Sequence, residues 1–307
     1  MHDQATPPAP RTGRYAFLAL ILANLLLAFG PWMVRLADVG AVASAFWRLA
    51  LAAPVLLILA RSGFSRGAGA TLGLVALVAG GGLFFAADLA AWHYSIGLTK
   101  LANATLFGNM SSFILVLYGF VIARRSPGRV QGAAVALAVA GAVLLLGSSY
   151  ELSPKNLRGD LLALLAGLFY AFYLVSIDRG RRSMGSMAVL AVATTAGALP
   201  LLLLALAFGE QVMPGDWTPL ILLSLGSQLI GQGLLVYSVG HLSPVVVGLG
   251  LLTQPLVTAA IGWLAYGERL GPADLLGGLC IAVALVLIRL PERGNEARLA
   301  SSGAQDH

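Results

Sequence analysis

Charged side chains are scarce in this chain. Asp, Glu, Lys and Arg make up 10% of its 307 residues and apolar residues 58%, whereas ordinary soluble domains carry roughly 25% charged residues. A water-soluble fold of this length could not hide so much apolar surface, so lipid is expected to serve as its solvent. Cysteine is almost absent. Cys280 stands alone in an apolar run, which excludes a disulfide framework and a thiolate metal cluster. Of four histidines, His2 and His307 are terminal and only His93 and His241 are internal, too few for a His-rich metal site. No Gly-x4-Gly-Lys-Ser/Thr loop and no His-Glu-x-x-His occurs, so neither bound ATP nor a His-Glu metallohydrolase site is expected. Nothing calls for a cofactor. Connections are short, as at 37–40 and 124–129, which leaves no room for a soluble sensor or scaffold domain.

What is present is a succession of apolar runs. About 20 mostly apolar residues cross the hydrocarbon core as a helix. The runs 15–35, 41–60, 71–97, 101–123, 130–148, 159–178, 186–207, 218–238, 243–266 and 272–290 predict ten spans in an all-α integral membrane protein. The first run is too long for a signal-peptide core and lacks a cleavage site, so it counts as a span. Residues 1–14 and 292–307 read as polar tails. Orientation follows from basic residues, which accumulate on cytoplasmic loops. With the N-terminus inside, thirteen of the nineteen Arg and Lys fall in inner segments and five in outer ones, with Arg48 inside a span. Both termini are therefore expected in the cytoplasm. The +6 net charge is then a topological signal, and a nucleic-acid partner is not expected.

An offset of 143 residues brings the halves into register: Tyr94-Ser95-x-Gly97 meets Tyr237-Ser238-x-Gly240, Gly119 meets Gly262, and Gly128 meets Gly271. The halves are 15–148 and 157–291, five spans each. An odd count inverts the second copy relative to the first, a 5+5 arrangement that secondary transporters use to place a substrate site near the midplane.

Leu251-Leu252-Thr253-Gln254-Pro255, then Gly267-Glu268-Arg269-Leu270, then Leu275-Leu276-Gly277 resembles the hallmark of EamA-type permeases in the drug/metabolite transporter superfamily. The first half carries a degraded version, Ala102–Thr105, Gly108-Asn109 and Arg124–Pro127; Ser112 and an Arg-Arg pair stand where the family has proline and glutamate. Asp88–Trp92 and Ser227–Gln232 also look like a proteobacterial branch of these permeases. The resemblance implies a ten-helix inverted-repeat bundle in a bacterial inner membrane that moves a small metabolite.

Ionisable groups inside a span are costly and mark candidate sites. Arg48 and Asp88 lie at similar depth in the second and third spans, roughly 10–14 Å from their outer ends at 1.5 Å per residue. They read either as a structural ion pair locking two helices or as part of a ligand or proton-coupling site. Burial disfavours the carboxylate charge and a neighbouring arginine favours it, so Asp88 is the candidate for exchanging a coupling proton.

Gln228 and Gln232, four apart, share one face of the eighth span, lining a cavity or bonding to another helix. Gln254, Asn109 and Trp92, the last one turn from Asp88, complete the expected substrate-binding set. Pro255 withholds an amide from Leu251 and marks a helix break or gate. His93 points off the Trp92 face and is expected in the core. Trp32, Trp217 and Trp263 read as interfacial anchors. Secondary export or exchange of a small organic solute by alternating access is the expected function. A membrane-embedded enzyme is the alternative, but Asp88 is the only clear mid-span acid available to it.

Overall fold

The computed structural model of the chain describes residues 11–65, 71–99, 104, 107–124, 127–147, 156–254, 256–257, 260, 264 and 271–288. Among the described residues, six helical stretches are long and apolar enough to cross a membrane: Gly13–Leu36, Ala41–Arg61, Leu72–Leu98, Leu157–Arg181, Ser186–Ala207 and Thr218–Val239. Shorter apolar helices cover Met110–Ala123, Arg129–Leu144 and Leu275–Leu287. The chain is a multi-pass helical membrane protein.

In order the helices are α1 (Arg11–Ala28), α2 (Gly30–Leu36), α3 (Ala41–Ser65), α4 (Leu72–Leu98), α5 (Met110–Ala123), α6 (Arg129–Gly147), α7 (Leu157–Arg181), α8 (Ser186–Ala207), α9 (Thr218–Leu222), α10 (Gln232–Val239), α11 (Pro244–Leu251) and α12 (Pro272–Leu287). A π-helical segment, Leu223–Gly231, joins α9 to α10.

Their ends follow from local chemistry. The Thr71 hydroxyl accepts from Leu74 N at 3.2 Å to cap α4. Ser243 accepts from Val246 N at 3.4 Å to cap α11, whose first residue is Pro244; at that position the missing amide costs nothing. Arg124 closes α5 in the left-handed region at φ 48°, and Gly209 follows α8 at φ 67°.

Two spans expected to be continuous are interrupted. The first breaks at Phe29, with Pro31 among the opening residues of α2; proline has no amide to return to the Leu27 carbonyl. In the eighth, the Gln232 amide reaches Ser227 O, five residues back, which is the wider π turn that recurs at functional sites.

Large side chains face outward: Leu199 is 60% exposed, Leu203 58% and Leu206 57% along α8. Small residues face inward, as is usual where lipid removes the hydrophobic drive for helix association. A Cβ on Gly82 would overlap the Ala193 backbone, and one on Gly197 would meet Gly82 O at 2.8 Å, so α4 and α8 cross in backbone contact. The same closeness recurs between α6 and α12, where Gly141 sits 2.6 Å from Gly277 O measured from its added Cβ. Helix α4 packs on α7 and α8, α1 on α10 and the π segment, α3 on α8 and the π segment, α5 on α11 and α7, and α6 on α12.

One end of the bundle is laced by loops. Glu210 accepts from Val42 N at 3.2 Å and Ala43 N at 2.8 Å, capping α3 from the α8–α9 connection. Asp38 accepts from Gly215 N at 2.8 Å and Asp216 N at 3.2 Å. Trp47 Nε1 donates to Val212 O at 2.7 Å, and its ring meets Trp217 edge-on at 4.9 Å. At the opposite end Arg181 Nε donates to Val236 O at 3.0 Å, tying α7 to α10.

Candidate functional site

A cavity of about 90 Å³ lies in the bundle where α1, α2, α3, α4, α7 and α10 converge. A cavity needs about 10–15 Å³ to hold one water, so this one has room for several waters or one small solute. Its polar wall is formed by Arg48, Asp88, Asn109, Tyr170, Gln232 and Gln254. Leu27, Ala28, Pro31, Phe85 and Trp92 supply apolar and aromatic surface. The break between α1 and α2 therefore sits in the cavity wall, as an irregular backbone in a membrane must do to find partners.

Asp88, 9% exposed, and Arg48, 4% exposed, both face this space and lie within electrostatic range of each other. No salt bridge joins them among the described residues. Arg48 Nε instead donates to Gln228 Oε1 at 3.2 Å, and its guanidinium carbon stands 5.8 Å from the centre of the Phe85 ring, within cation–π range. The Asp88 carboxylate makes no hydrogen bond to any described residue and opens on the cavity.

The two carboxamides of the eighth span part company. Gln228 is fully buried behind Arg48 and off the cavity wall, its Nε2 donating to Thr194 Oγ1 at 2.9 Å. Gln232 lines the cavity; its Oε1 accepts from Tyr173 Oη at 3.4 Å and its Nε2 donates to Tyr170 Oη at 3.3 Å. The π turn separates them, sending Gln228 toward α3 and α8 and Gln232 toward α7. Tyr173 stacks on Phe85 at 4.4 Å. Gln254 Nε2 donates to Asn24 Oδ1 at 2.9 Å, and Asn24 Nδ2 reaches Gly250 O at 3.0 Å. Helix α11 ends at Leu251, one turn before Pro255; Pro255 itself, Trp263, Glu268 and Arg269 lie outside the described residues.

Trp92 lines the cavity and packs against Gly108, whose added Cβ would stand 3.4 Å from its ring. His93 is buried, with Nδ1 at 2.9 Å from Ser44 Oγ and 3.1 Å from Ala41 O, a core role. Tyr170, Tyr173, Asn24, Thr194 and Pro31 were not anticipated as site residues. Their signal was available, since a mid-span tyrosine or asparagine must find a partner in the bundle and a mid-span proline frees a carbonyl. Among the described residues no cluster of His, Cys, Asp and Glu could hold a metal.

These features define a polytopic membrane protein with a small, polar cavity inside its bundle, lined by one arginine and one aspartate. Residues 157–290 match the EamA-like transporter family. That match and the relatives named as transporters support an EamA-type permease of the drug/metabolite transporter superfamily. It is 26% identical over 246 residues to an "Uncharacterized transporter" of Archaeoglobus fulgidus, covering 76% of this chain and 83% of that one. It is 24% identical over 225 residues to the "Pseudopaline exporter CntI" of Pseudomonas aeruginosa, covering 69% and 74%. A solved structure titled "Crystal structure of protein" shares the fold at a TM-score of 0.72 and 20% identity, over 91% of this chain and 98% of that one. The protein is a transporter.

Proposed function

We propose that the chain is a ten-span secondary transporter that moves a small zwitterionic solute by alternating access, with halves 15–148 and 157–291 inverted about the cavity. The observation that carries the substrate class is a pair of opposite charges not joined to each other: Arg48 and Asp88 face one cavity without a salt bridge between them. A guanidinium offers a planar donor fork for a carboxylate, and Asp88 offers acceptors for an ammonium. A solute carrying both groups neutralises both residues at once. Gln232, Asn109 and Gln254 add hydrogen-bonding capacity, and Trp92 a flat surface.

The inverted repeat is supported by how the helices pair. Exchanging equivalent spans turns the α4–α7 contact into that of the eighth span with α1, and α4–α8 into the π segment with α3. The pairs α3–α8, α5–α11 and α6–α12 map onto themselves. A two-fold relation in the membrane plane places the site between the halves, where rocking of one against the other exposes it alternately. Both termini face the cytoplasm of a bacterial inner membrane, and the relative named as an exporter favours outward movement. A proton or solute gradient supplies the drive.

Vesicles containing the purified chain, preloaded with a mixture of small amino acids, should exchange them for labelled external amino acid. They should not exchange the decarboxylated amines or the deaminated acids of the same skeletons. Exchange of uncharged solutes alone, with zwitterions excluded, would overturn the substrate class.

A further inference from the structure

Opposite charges in a low-dielectric cavity attract strongly, yet Arg48 does not close on Asp88. Two contacts hold it. On one side Gln228 Oε1 accepts from Arg48 Nε at 3.2 Å. On the other the guanidinium lies 5.8 Å from the Phe85 ring centre. Each holder is itself fixed: Gln228 donates to Thr194 at 2.9 Å, and Phe85 stacks on Tyr173 at 4.4 Å with the planes 16° apart. Phe85 and Gln228 are separated by the same 143 residues as the internal repeat, so equivalent positions of the third and eighth spans grip one arginine from two sides. Gln228 is fully buried and absent from the cavity wall, so its carboxamide serves Arg48 and Thr194.

We infer that Gln228, anchored by Thr194, is a positioning residue that holds Arg48 off Asp88 and so keeps both charges open to a solute. Without it the guanidinium swings onto the carboxylate and the cavity neutralises itself. The purpose assigned to this clamp rests on the transport reading above; the clamp itself is tested without a substrate.

The probe is a hydrophobic carbodiimide, which adds to a protonated carboxyl, applied over a falling pH series and read at Asp88 by peptide mass spectrometry on the full chain in lipid vesicles. A carboxyl that is not ion-paired takes up the proton, and with it the label, at higher pH than a paired one. The wild type is expected to label. Gln228→Leu should lose most of that label, Thr194→Val should lose less, and Gln228→Leu with Arg48→Gln should regain it because the intruding charge is gone. In exchange assays Gln228→Leu should raise the half-saturating amino acid concentration more than it lowers the maximal rate, since an internal ion pair competes with the solute.

A wild type already protected at Asp88 overturns the clamp. So does undiminished labelling in folded Gln228→Leu, or a loss that Arg48→Gln fails to reverse. If Gln228→Leu does not fold, Thr194→Val alone decides by the same labelling. Labelling that follows the expected order in vesicles that exchange no zwitterion would leave the clamp standing and remove the transport reading.

Discussion

Asp88 presents its carboxylate to the cavity without a hydrogen-bond partner among the described residues, so a bound ammonium would be its first strong partner. Charge-assisted hydrogen bonds are worth about 1.5–3 kcal/mol, which at 1.4 kcal/mol per tenfold is roughly a ten- to hundredfold change in affinity. Asp88→Asn is therefore expected to raise the half-saturating zwitterion concentration in vesicle exchange by about that factor. Arg48→Gln should do the same through the carboxylate. A rise of less than threefold in both would show that neither charge touches the solute. Tyr173→Phe tests the deeper layer. It leaves Gln232 Oε1 without its donor, and a net loss of about 0.5–1.5 kcal/mol should appear as a lowered unfolding temperature with affinity little changed. The charged residues were legible because an ionised group in an apolar run is visible by itself. Gln232 and Gln254 were legible as carboxamides in mid-span. The different fate of Gln228 was not, because four-residue spacing assumes an α-helix and the chain takes a π turn between Leu223 and Gly231. Thr194 and Tyr170 escaped notice since one hydroxyl on an apolar helix carries no pattern until its partner is known.

Helix packing in this bundle depends on residues with nothing to show in a hydropathy profile. Gly82 and Gly197 let α4 and α8 touch backbone to backbone, which positions Asp88 two turns further along α4. Gly82→Leu cannot be absorbed by a rotamer change, as the obstruction is the Ala193 backbone. Overpacking of this kind costs about 1–3 kcal/mol or more, and the variant should give little folded protein in detergent chromatography, whereas Gly80→Leu, with open space around it, should behave as wild type. The Glu210 cap is a second case. It satisfies two amides at the start of α3 from a distant connection, a service worth about 1 kcal/mol. Glu210→Ala is expected to lower the unfolding temperature by a few degrees and to free the Asp38 end of the bundle, measured as faster hydrogen exchange at Val42 and Ala43. The spans themselves were readable because about 20 apolar residues in a row admit few other structures. The break at Phe29 was hidden by the same apolarity, although Pro31 announces it.

For the molecule in its membrane, orientation is decided by charge rather than by packing. The lacing at the Asp38 end and the Arg181 contact at the other would hold equally well either way up. The cytoplasmic placement of both termini proposed above rests on the arginine distribution: in the ten-span reading 124, 125, 129, 179, 181 and 182 all fall on the segments that share a side with Arg11 and Arg14, and basic loops resist translocation. Met213 stands on the laced side and is 63% exposed, while Gly128 immediately precedes α6 on the basic side, its carbonyl accepting from Gly132 N at 2.7 Å. In a background with Cys280 replaced by alanine, Met213→Cys should react with an impermeant thiol reagent added outside intact cells. Gly128→Cys should stay unlabelled until the cytoplasmic face is opened, then react fully. Because the two sites are read in separate variants, an inaccessible thiol at one cannot mimic an inverted protein. Only labelling of Gly128→Cys from outside together with protection of Met213→Cys reverses the orientation, and with it the side from which Arg48 and Asp88 receive their solute. Labelling of both from outside would instead place an even number of crossings between 128 and 213, where the fifth, sixth and seventh spans give three.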